Sequence, residues 1–252
     1  MIGVRTKLSS YCLSLWFRFG GSPVVVRWKG MRFRVRREHY QLRRSLRDGG
    51  EAFLENLCRL VRPDTVFIDI GANIGLASIV LAPLVDRVVA FEPTQDSFQD
   101  LTLNLQLNSI PGVMALPVAL SDSVGVVTMR ADPWWGHNAV IGAKGDALGK
   151  PIVAVPALKL DSLCGFFFDD LNVDYLTTPV LVKVDVEGHE LEVFKGATQF
   201  LSQCANVILC FEAWGEEYLE PIVRHLESLG FERFSPPIQP DESDIFMRKK
   251  GD

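Results

Sequence analysis

The feature that most constrains this chain is an alternation, from residue 66 onward, between short β-branched runs and stretches with helical periodicity. Parallel strands joined by crossover helices produce such a pattern. The runs are almost continuously apolar, as expected of strands covered on both faces. The predicted strands are 66–70, 87–91, 113–118, 180–185 and 206–211, with closing segments at 230–234 and 244–248, and the predicted helices lie near 74–82, 96–108, 190–202 and 216–228. The fold class is therefore predicted to be α/β, a doubly wound and mostly parallel sheet of seven strands.

A basic extension precedes this core. Residues 1–62 hold 14 Lys and Arg against 4 Asp and Glu, a net charge of +10, whereas the remaining residues hold 12 against 27, a net charge of -15. A hairpin is predicted over 24–36 and a helix over 51–61, which Pro63 ends. The predicted domains are thus a small basic extension, 1–62, and an α/β domain, 63–252. The basic face either packs on the acidic core or contacts an anionic partner.

Cysteine usage and the amino-terminal residues bear on location. The five cysteines are odd in number and include no CxxC pair, which predicts free thiols in a reducing compartment. The apolar run 11–17 is short and is followed at once by Arg18, so neither a signal peptide nor a membrane span is predicted. We expect a cytoplasmic protein, with peripheral membrane contact through Leu13, Trp16 and Phe17 as the minor alternative.

The run that begins at residue 66 carries the first candidate site. Residues 66–70 are a predicted buried strand, and the glycine turn that follows opens a helix, which is how open α/β sheets bind nucleotide-like ligands. Gly71 and Gly75 are four residues apart, and Asn73 stands where a dinucleotide-binding turn has its second glycine. Asp69 would repel a pyrophosphate but can accept a hydrogen bond from a cationic amino group. This combination favours S-adenosylmethionine over NAD.

Polar residues at the next two strand ends extend this site. Glu92 follows the second strand, where a carboxylate can bind the hydroxyl groups of a ribose; capping of the next helix is the structural alternative. Ser121 and Asp122 follow the third strand, where they would meet the adenine or form an ordinary turn. Because these residues share one edge of the predicted sheet, the pattern indicates a nucleoside site.

The fourth strand leads into the most informative run. Lys183, Asp185 and Glu187 alternate with valines and are expected on one strand face. Burial of a charged side chain there is unfavourable unless the charge is paired or serves a function. A Lys183–Asp185 ion pair, with Glu187 and Glu190 at the start of the next helix, is the structural alternative. It explains His189 less well, since histidine is the side chain best suited to proton transfer near neutrality. The close spacing offers no octahedral ligand set, so no metal is predicted.

The stretch 119–160 interrupts the alternation and is rich in glycine and tryptophan. Long irregular segments in a compact domain are usually binding loops. Trp134, Trp135 and His137 would line an acceptor pocket, because aromatic planes stack on sugar faces; aromatic packing within the loop is the alternative. Glu212, after the fifth strand, lies at the same edge of the sheet and is a further candidate for the acceptor site.

Two of these motifs together resemble the FkbM family of methyltransferases. The resemblance covers about residues 48–234 and rests on the run 67–75, Phe-Ile-Asp-Ile-Gly-Ala-Asn-Ile-Gly, and on the more specific run 182–197, Val-Lys-Val-Asp-Val-Glu-Gly-His-Glu-Leu-Glu-Val-Phe-Lys-Gly-Ala. It implies a class I, Rossmann-like methyltransferase with S-adenosylmethionine as the methyl donor. The implied acceptors are hydroxyl groups of sugars, polyketides or glycolipids.

The resemblance also implies roles for individual residues. The donor loop would comprise Asp69, Gly71, Asn73 and Gly75, the ribose ligand would be Glu92, and the motif after the fourth strand would be Asp185, Glu187 and His189. We expect His189, or else Glu187, to be the general base, with Asp185 or Glu187 as the carboxylate that orients the His189 ring. Two alternatives stay open: an RNA or protein methyltransferase that uses the basic extension, and a module that binds the donor without catalysis.

Overall fold

The computed structural model describes residues 23–36, 50–130, 139–141, 152–164, 174, 176–213 and 215–251. The strands are β1 (Val24–Trp28), β2 (Met31–Val35), β3 (Val66–Ile70), β4 (Arg87–Phe91), β5 (Val113–Leu116), β6 (Ala119–Leu120), β7 (Gly125–Arg130), β8 (Ala139–Val140), β9 (Ile152–Leu158), β10 (Val180–Val184), β11 (Val207–Glu212), β12 (Phe231–Arg233) and β13 (Asp244–Lys249). The helices are α1 (Gly50–Leu60), α2 (Leu76–Leu81), α3 (Gln95–Leu107), α4 (Glu190–Lys195), α5 (Thr198–Gln203) and α6 (Glu216–Ser228), with a 3-10 turn over Ala82–Leu84 and a helical segment described over 160–164.

The central sheet has seven strands in the order β12-β13-β11-β10-β3-β4-β5. Its strands run parallel except β13, which is antiparallel to both of its neighbours. The chain builds outward from β3 to β5 and then crosses to β10 on the other side of β3. This reversal makes the carboxyl ends of β3 and β10 a topological switch point, where open α/β sheets bind ligands. The predicted fold class is confirmed.

The two strands at the switch point are buried throughout, as their apolar sequences predict. Each nevertheless carries one charged residue, and these two residues, Asp69 and Lys183, are direct neighbours in the parallel register. The Lys183 Nζ atom lies 3.0 Å from the Asp69 Oδ1 atom. Because an unpaired charge in this position would be costly, the register of the sheet depends on the pair as well as on apolar packing.

The interpretation of 119–160 as irregular is wrong where the structure describes this stretch. Strands β6, β9, β7 and β8 form a second sheet in that order, and its inner residues make a small apolar cluster of their own. Gly125 and Pro156 explain why the strands are hard to recognise, because both residues are depleted in strand interiors. This small sheet forms one wall of the cleft described below.

The helix predicted over 190–202 is two helices, α4 and α5, separated at Gly196 and Ala197. A Cβ atom at Gly196 would lie 1.9 Å from the carbonyl oxygen of Ser121. The break therefore lets the chain pass closely by the turn after β6, which a continuous helix with larger side chains would prevent. The predicted strand 113–118 is also shorter than expected and ends at Leu116.

The predicted hairpin is confirmed as β1 and β2, and it packs on α3. Its residues Trp28, Phe33 and Val35 belong to the same apolar cluster as one face of the central sheet. Arg34 and Arg36 form ion pairs with Asp100 on α3. The basic hairpin thus packs on an acidic helix of the core, whereas the domain boundary at residue 62 stays a prediction. Within the described ranges, no helix combines the length and apolarity needed to cross a membrane.

Candidate active site

A cleft opens at the carboxyl edge of the central sheet, where β3, β4 and β10 end. It is open to solvent, and the empty space of about 580 Å³ that it encloses includes the solvent at its mouth. Its described walls come from the turn after β3, the residues after β4, the small sheet and the loop 185–189. Because ligands of open α/β sheets bind at this edge, the cleft is the candidate active site.

The turn after β3 depends on residues in the left-handed region. Gly71, Asn73 and Gly75 have φ angles of 77°, 50° and 87°, which glycine adopts freely and asparagine tolerates. A Cβ atom at Gly71 would lie 1.9 Å from the carbonyl oxygen of Asp185. The turn can therefore follow this path only because Gly71 lacks a side chain, and its backbone is thereby brought against the loop after β10.

Glu92, which follows β4, is 5% exposed and lines the cleft. Its carboxylate accepts hydrogen bonds from the Asn73 N–H at 2.9 Å, the Thr94 N–H at 2.9 Å and the Thr94 hydroxyl. Burial raises the pKa of Glu92, and the hydrogen bonds from Thr94 and Asn73 and the charge of Lys183 oppose that rise. A carboxylate offers about four lone-pair positions, so Glu92 keeps acceptor capacity on the side of the cleft.

Asp69 is fully buried and is not among the described residues that line the cleft. One oxygen contacts Lys183, and the other accepts hydrogen bonds from the Ser78 N–H at 3.1 Å and the Ser78 hydroxyl at 2.6 Å. Lys183 also donates to the Gly71 carbonyl at 3.0 Å and lies 3.6 Å from an Asp185 oxygen. This set ties β10 to the glycine turn, and Asp69 affects the cleft through Lys183 and Gly71.

The loop after β10 differs from its predicted form. The expectation that Lys183, Asp185 and Glu187 share one strand face is wrong for Glu187, because the strand ends at Val184 and Glu187 is left-handed, with φ of 58°. The loop nevertheless brings Asp185, Glu187 and His189 to the cleft together. All three candidate catalytic residues therefore face the same space as Glu92.

His189 is held by residues other than the expected ones. Its Nε2 atom is 3.0 Å from the Ser121 hydroxyl oxygen, and its Nδ1 atom is 3.6 Å from a Glu192 oxygen. Glu192 therefore replaces Asp185 and Glu187 as the carboxylate beside the ring. Burial lowers the pKa of His189, while the charges of Glu192 and Asp122 partly oppose this effect. A neutral imidazole at neutral pH is the result, the form that can accept a proton.

The remaining predicted residues are placed as follows. Ser121 is buried and bonded to His189, and the exposed Asp122 lies beside it, with 3.4 Å between the Ser121 hydroxyl and an Asp122 oxygen. Their contact with an adenine stays a prediction. Glu212 ends β11, 3.4 Å from the Ser243 hydroxyl, and is not part of the described cleft wall. The residues expected to line the acceptor pocket, Trp134, Trp135 and His137, lie outside the described residues.

Several residues that shape the site are difficult to find from sequence. Thr94 fixes Glu92, and Glu190 accepts hydrogen bonds from the backbone of the loop after β10. The pairing of Lys183 with Asp69 follows from the neighbouring positions of β3 and β10, so a sheet order added to the sequence pattern would have indicated it. The contact between Ser121 and His189 joins two loops that are 68 residues apart, and nothing in the sequence signals it.

The composition of the cleft indicates what it can bind. Glu92, Asp185 and Glu187 face it, and the described part of the lining includes neither lysine nor arginine. Such an acidic cleft suits a ligand with positive charge and opposes a pyrophosphate. The doubly wound sheet, with this cleft at its topological switch point, defines a protein of the class that binds nucleoside-like ligands at the carboxyl edge of an α/β sheet.

The chain belongs to the FkbM methyltransferase domain family, whose model matches residues 69–233. It is 31% identical over 235 residues to hexuronic acid methyltransferase AglP of Haloferax volcanii, covering 92% of this chain and 91% of that protein. It is 29% identical over 218 residues to methyltransferase sdnD of Sordaria araneosa, covering 75% and 83% of the two chains. A solved structure, SMU.1697c of Streptococcus mutans in complex with SAH, superposes with a TM-score of 0.48 at 11% identity, covering 79% of this chain and 96% of that one.

Proposed function

We propose that the protein transfers a methyl group from S-adenosylmethionine to a hydroxyl oxygen of a carbohydrate acceptor. The observation that carries this proposal is the meeting, in one acidic cleft, of the glycine turn and Glu92 with Asp185, Glu187 and His189. The first two features have the chemistry of a nucleoside site, and the last three have the chemistry of proton transfer. Membership of a methyltransferase family supports the same combination.

The donor half of the site would be the turn after β3 together with Glu92. Glu92 is buried, oriented by Asn73 and Thr94, and still able to accept a hydrogen bond from a ribose hydroxyl. The carboxylates in the cleft would attract the sulfonium and ammonium groups of the donor. When bound, the donor supplies an activated methyl group. The contact of Asp69 with it would be indirect, because Asp69 is fully buried and is not among the described residues that line the cleft.

The transfer half would be the loop after β10, with His189 as the base that takes the proton of the acceptor hydroxyl. The Glu192 carboxylate favours a proton on Nδ1, which leaves Nε2 as the accepting nitrogen. In the structure the Ser121 hydroxyl forms a hydrogen bond with Nε2, but it can instead donate to the Asp122 carboxylate, which is 3.4 Å away. A small rotation of this hydroxyl would therefore free the ring. Glu187, which faces the same cleft, is the alternative base.

The acceptor class is inferred from hexuronic acid methyltransferase AglP, which aligns with 92% of this chain and whose name assigns it a hexuronic acid. A sugar of this kind is consistent with the predicted aromatic pocket of Trp134, Trp135 and His137. The alternative of an RNA substrate rested on the basic extension. In the described hairpin, Arg34 and Arg36 pair with the chain's own α3, so this part of the basic charge favours an internal role.

Donor binding provides the first test. S-adenosylmethionine and S-adenosylhomocysteine should each raise the melting temperature, because they bind the folded site and not the unfolded chain. NAD is the matched control and should leave it unchanged. Stabilisation by NAD without stabilisation by S-adenosylmethionine would contradict the donor assignment.

Acceptor use provides the second test. Methyl-labelled donor is incubated with methyl glucoside, with methyl glucuronide and with total tRNA at low salt, and transferred label is counted. We expect label on a sugar, stable to mild alkali, because a methyl ether resists hydrolysis. Label that alkali removes would place the methyl group on a carboxyl oxygen, and label on tRNA alone would support the RNA alternative.

A further inference from the structure

The loop after β10 has a shape that requires support. Glu187 and the next residue, Gly188, have φ angles of 58° and 96°. Two consecutive left-handed residues are uncommon, and the left-handed region is unfavourable for a residue with a side chain. At its start the loop is fixed by the Asp185 N–H, which donates to the Ile70 carbonyl at 3.0 Å. The rest of the loop needs another contact to hold this conformation.

Glu190, the first residue of α4, supplies that contact. One oxygen of its carboxylate accepts hydrogen bonds from the Val186 N–H at 3.2 Å and from the Gly188 N–H at 3.1 Å. These two N–H groups flank Glu187, so a single oxygen closes the turn around it. Glu190 is 5% exposed and is not among the described residues that line the cleft. Any influence of Glu190 on the reaction must therefore pass through the loop.

The burial of Glu190 also indicates a specific role. Burial raises its pKa to about 7, against the opposing effect of its backbone hydrogen bonds. A carboxyl group in this position is costly, and an apolar side chain would pack here at lower cost but would leave the Val186 and Gly188 N–H groups without this acceptor. The presence of a carboxylate at this buried position is therefore explained by its hydrogen bonds to the loop backbone, because packing alone would favour an apolar side chain.

We infer that Glu190 is a positioning residue, which holds the left-handed turn at Glu187 and Gly188 and so sets how Glu187 and His189 face the cleft. The inference rests on the proposed function insofar as those two residues serve methyl transfer. Its consequence is a division of effects: loss of the Glu190 acceptor disturbs the transfer half of the site and leaves the turn after β3 and Glu92 in place.

Two variants separate positioning from simple packing. Glu190→Gln keeps an oxygen that can accept both N–H groups, whereas Glu190→Leu has similar size and no acceptor. We expect Glu190→Gln to stay within about 3-fold of wild-type turnover, and Glu190→Leu to lose about 10- to 100-fold, the scale of a displacement of about 1 Å. Donor affinity should change by less than about 3-fold in both variants. The matched control is Glu216→Leu, since Glu216 is the exposed first residue of α6.

Amide hydrogen exchange tests the contact without reference to activity. The Val186 and Gly188 amides should exchange at least about 10-fold faster in Glu190→Leu than in the wild type, and at near wild-type rates in Glu190→Gln. Should Glu190→Leu fail to fold, Glu190→Asp, which draws the carboxylate back by one methylene, is expected to show a smaller change in the same direction.

Unchanged turnover in a folded Glu190→Leu protein would overturn the positioning role, and unchanged exchange at Val186 and Gly188 would overturn the contact itself. A wild-type protein that neither binds S-adenosylmethionine nor transfers its methyl group would contradict the proposed function instead. In that case the exchange measurement decides by itself whether Glu190 holds the loop.

Discussion

The turn after β3 and the loop after β10 lie side by side at the switch point, yet they are held in different ways. The turn 71–75 relies on glycine, because Gly71 passes so close to the Asp185 carbonyl that no side chain fits. The loop 185–189 relies on a side chain, because the Glu190 carboxylate bonds to its backbone. The first region offers backbone and a buried carboxylate to a ligand, whereas the second offers ionisable side chains.

This difference shows how one sheet edge can separate binding from chemistry. A turn that depends on glycine leaves bare backbone near a ligand. A loop held by a buried carboxylate presents its own side chains in a defined direction. Lys183 contacts both regions, through the Gly71 carbonyl and the Asp185 carboxylate, and it joins the two halves of the site.

The largest effect is expected from breaking this junction with Lys183→Met. Removal of the cation leaves the fully buried Asp69 without its ion-pair partner, which should lower the free energy of unfolding by about 3–5 kcal/mol. Chemical denaturation measures the change. Lys195→Met, at an exposed position, is the control. The double variant with Asp69→Asn should regain part of the loss, and no regain would indicate that Lys183 matters mainly through Gly71 or Asp185.

A second substitution perturbs only the turn after β3. Gly71→Ala should cost about 2–4 kcal/mol, because the left-handed conformation and the contact with the Asp185 carbonyl each add to the cost. Gly112→Ala is the matched control, since Gly112 is also left-handed but has open space around it, and it should cost only about 1–2 kcal/mol. Equal losses in the two variants would show that the close approach is unimportant.

A third change separates the two regions by function. Glu92→Ala should weaken S-adenosylmethionine binding by about 1.5–3 kcal/mol, the contribution of a charged hydrogen-bond partner, and it should leave the loop after β10 intact. Isothermal titration calorimetry measures the affinity. Glu212→Ala, another strand-end glutamate, should bind the donor like the wild type. Unchanged affinity in Glu92→Ala would remove this residue from the donor site.

A pH dependence of stability belongs to the loop after β10. The pKa of Glu190 is raised from 4.5 to about 7 in the folded protein, so the folded state binds the proton more strongly than the unfolded state does. Its contribution to stability is present below about pH 4.5 and is lost as the pH rises towards 7. The unfolding free energy of the wild type should therefore fall relative to Glu190→Gln over this range, by no more than about 1.4 kcal/mol per pH unit. Parallel curves for the two proteins would contradict the shift.

The two regions also differ in how far the sequence predicts them. The turn after β3 was predictable, because Gly71 and Gly75 and the apolar strand before them are local signals of a βα turn. The shape of the loop after β10 was not, since Glu187 looks like one more residue of an alternating strand and only the bonds from Glu190 reveal the turn. Contacts between distant segments, such as Ser121 with His189, join residues 68 positions apart, and no local pattern encodes them.

The measurement that tests the account most directly is made on His189→Ala, with donor affinity, melting temperature and turnover determined on the same preparation. The proposed division of the site predicts that turnover falls by about 10²–10⁴, the usual effect of losing an acid–base group, while donor affinity stays within a few-fold of wild type. Wild-type turnover should also fall at acidic pH as the ring is protonated. Near wild-type turnover in a normally folded variant, or donor affinity that falls together with turnover, would contradict the claim that the loop after β10 serves transfer and the turn after β3 serves binding.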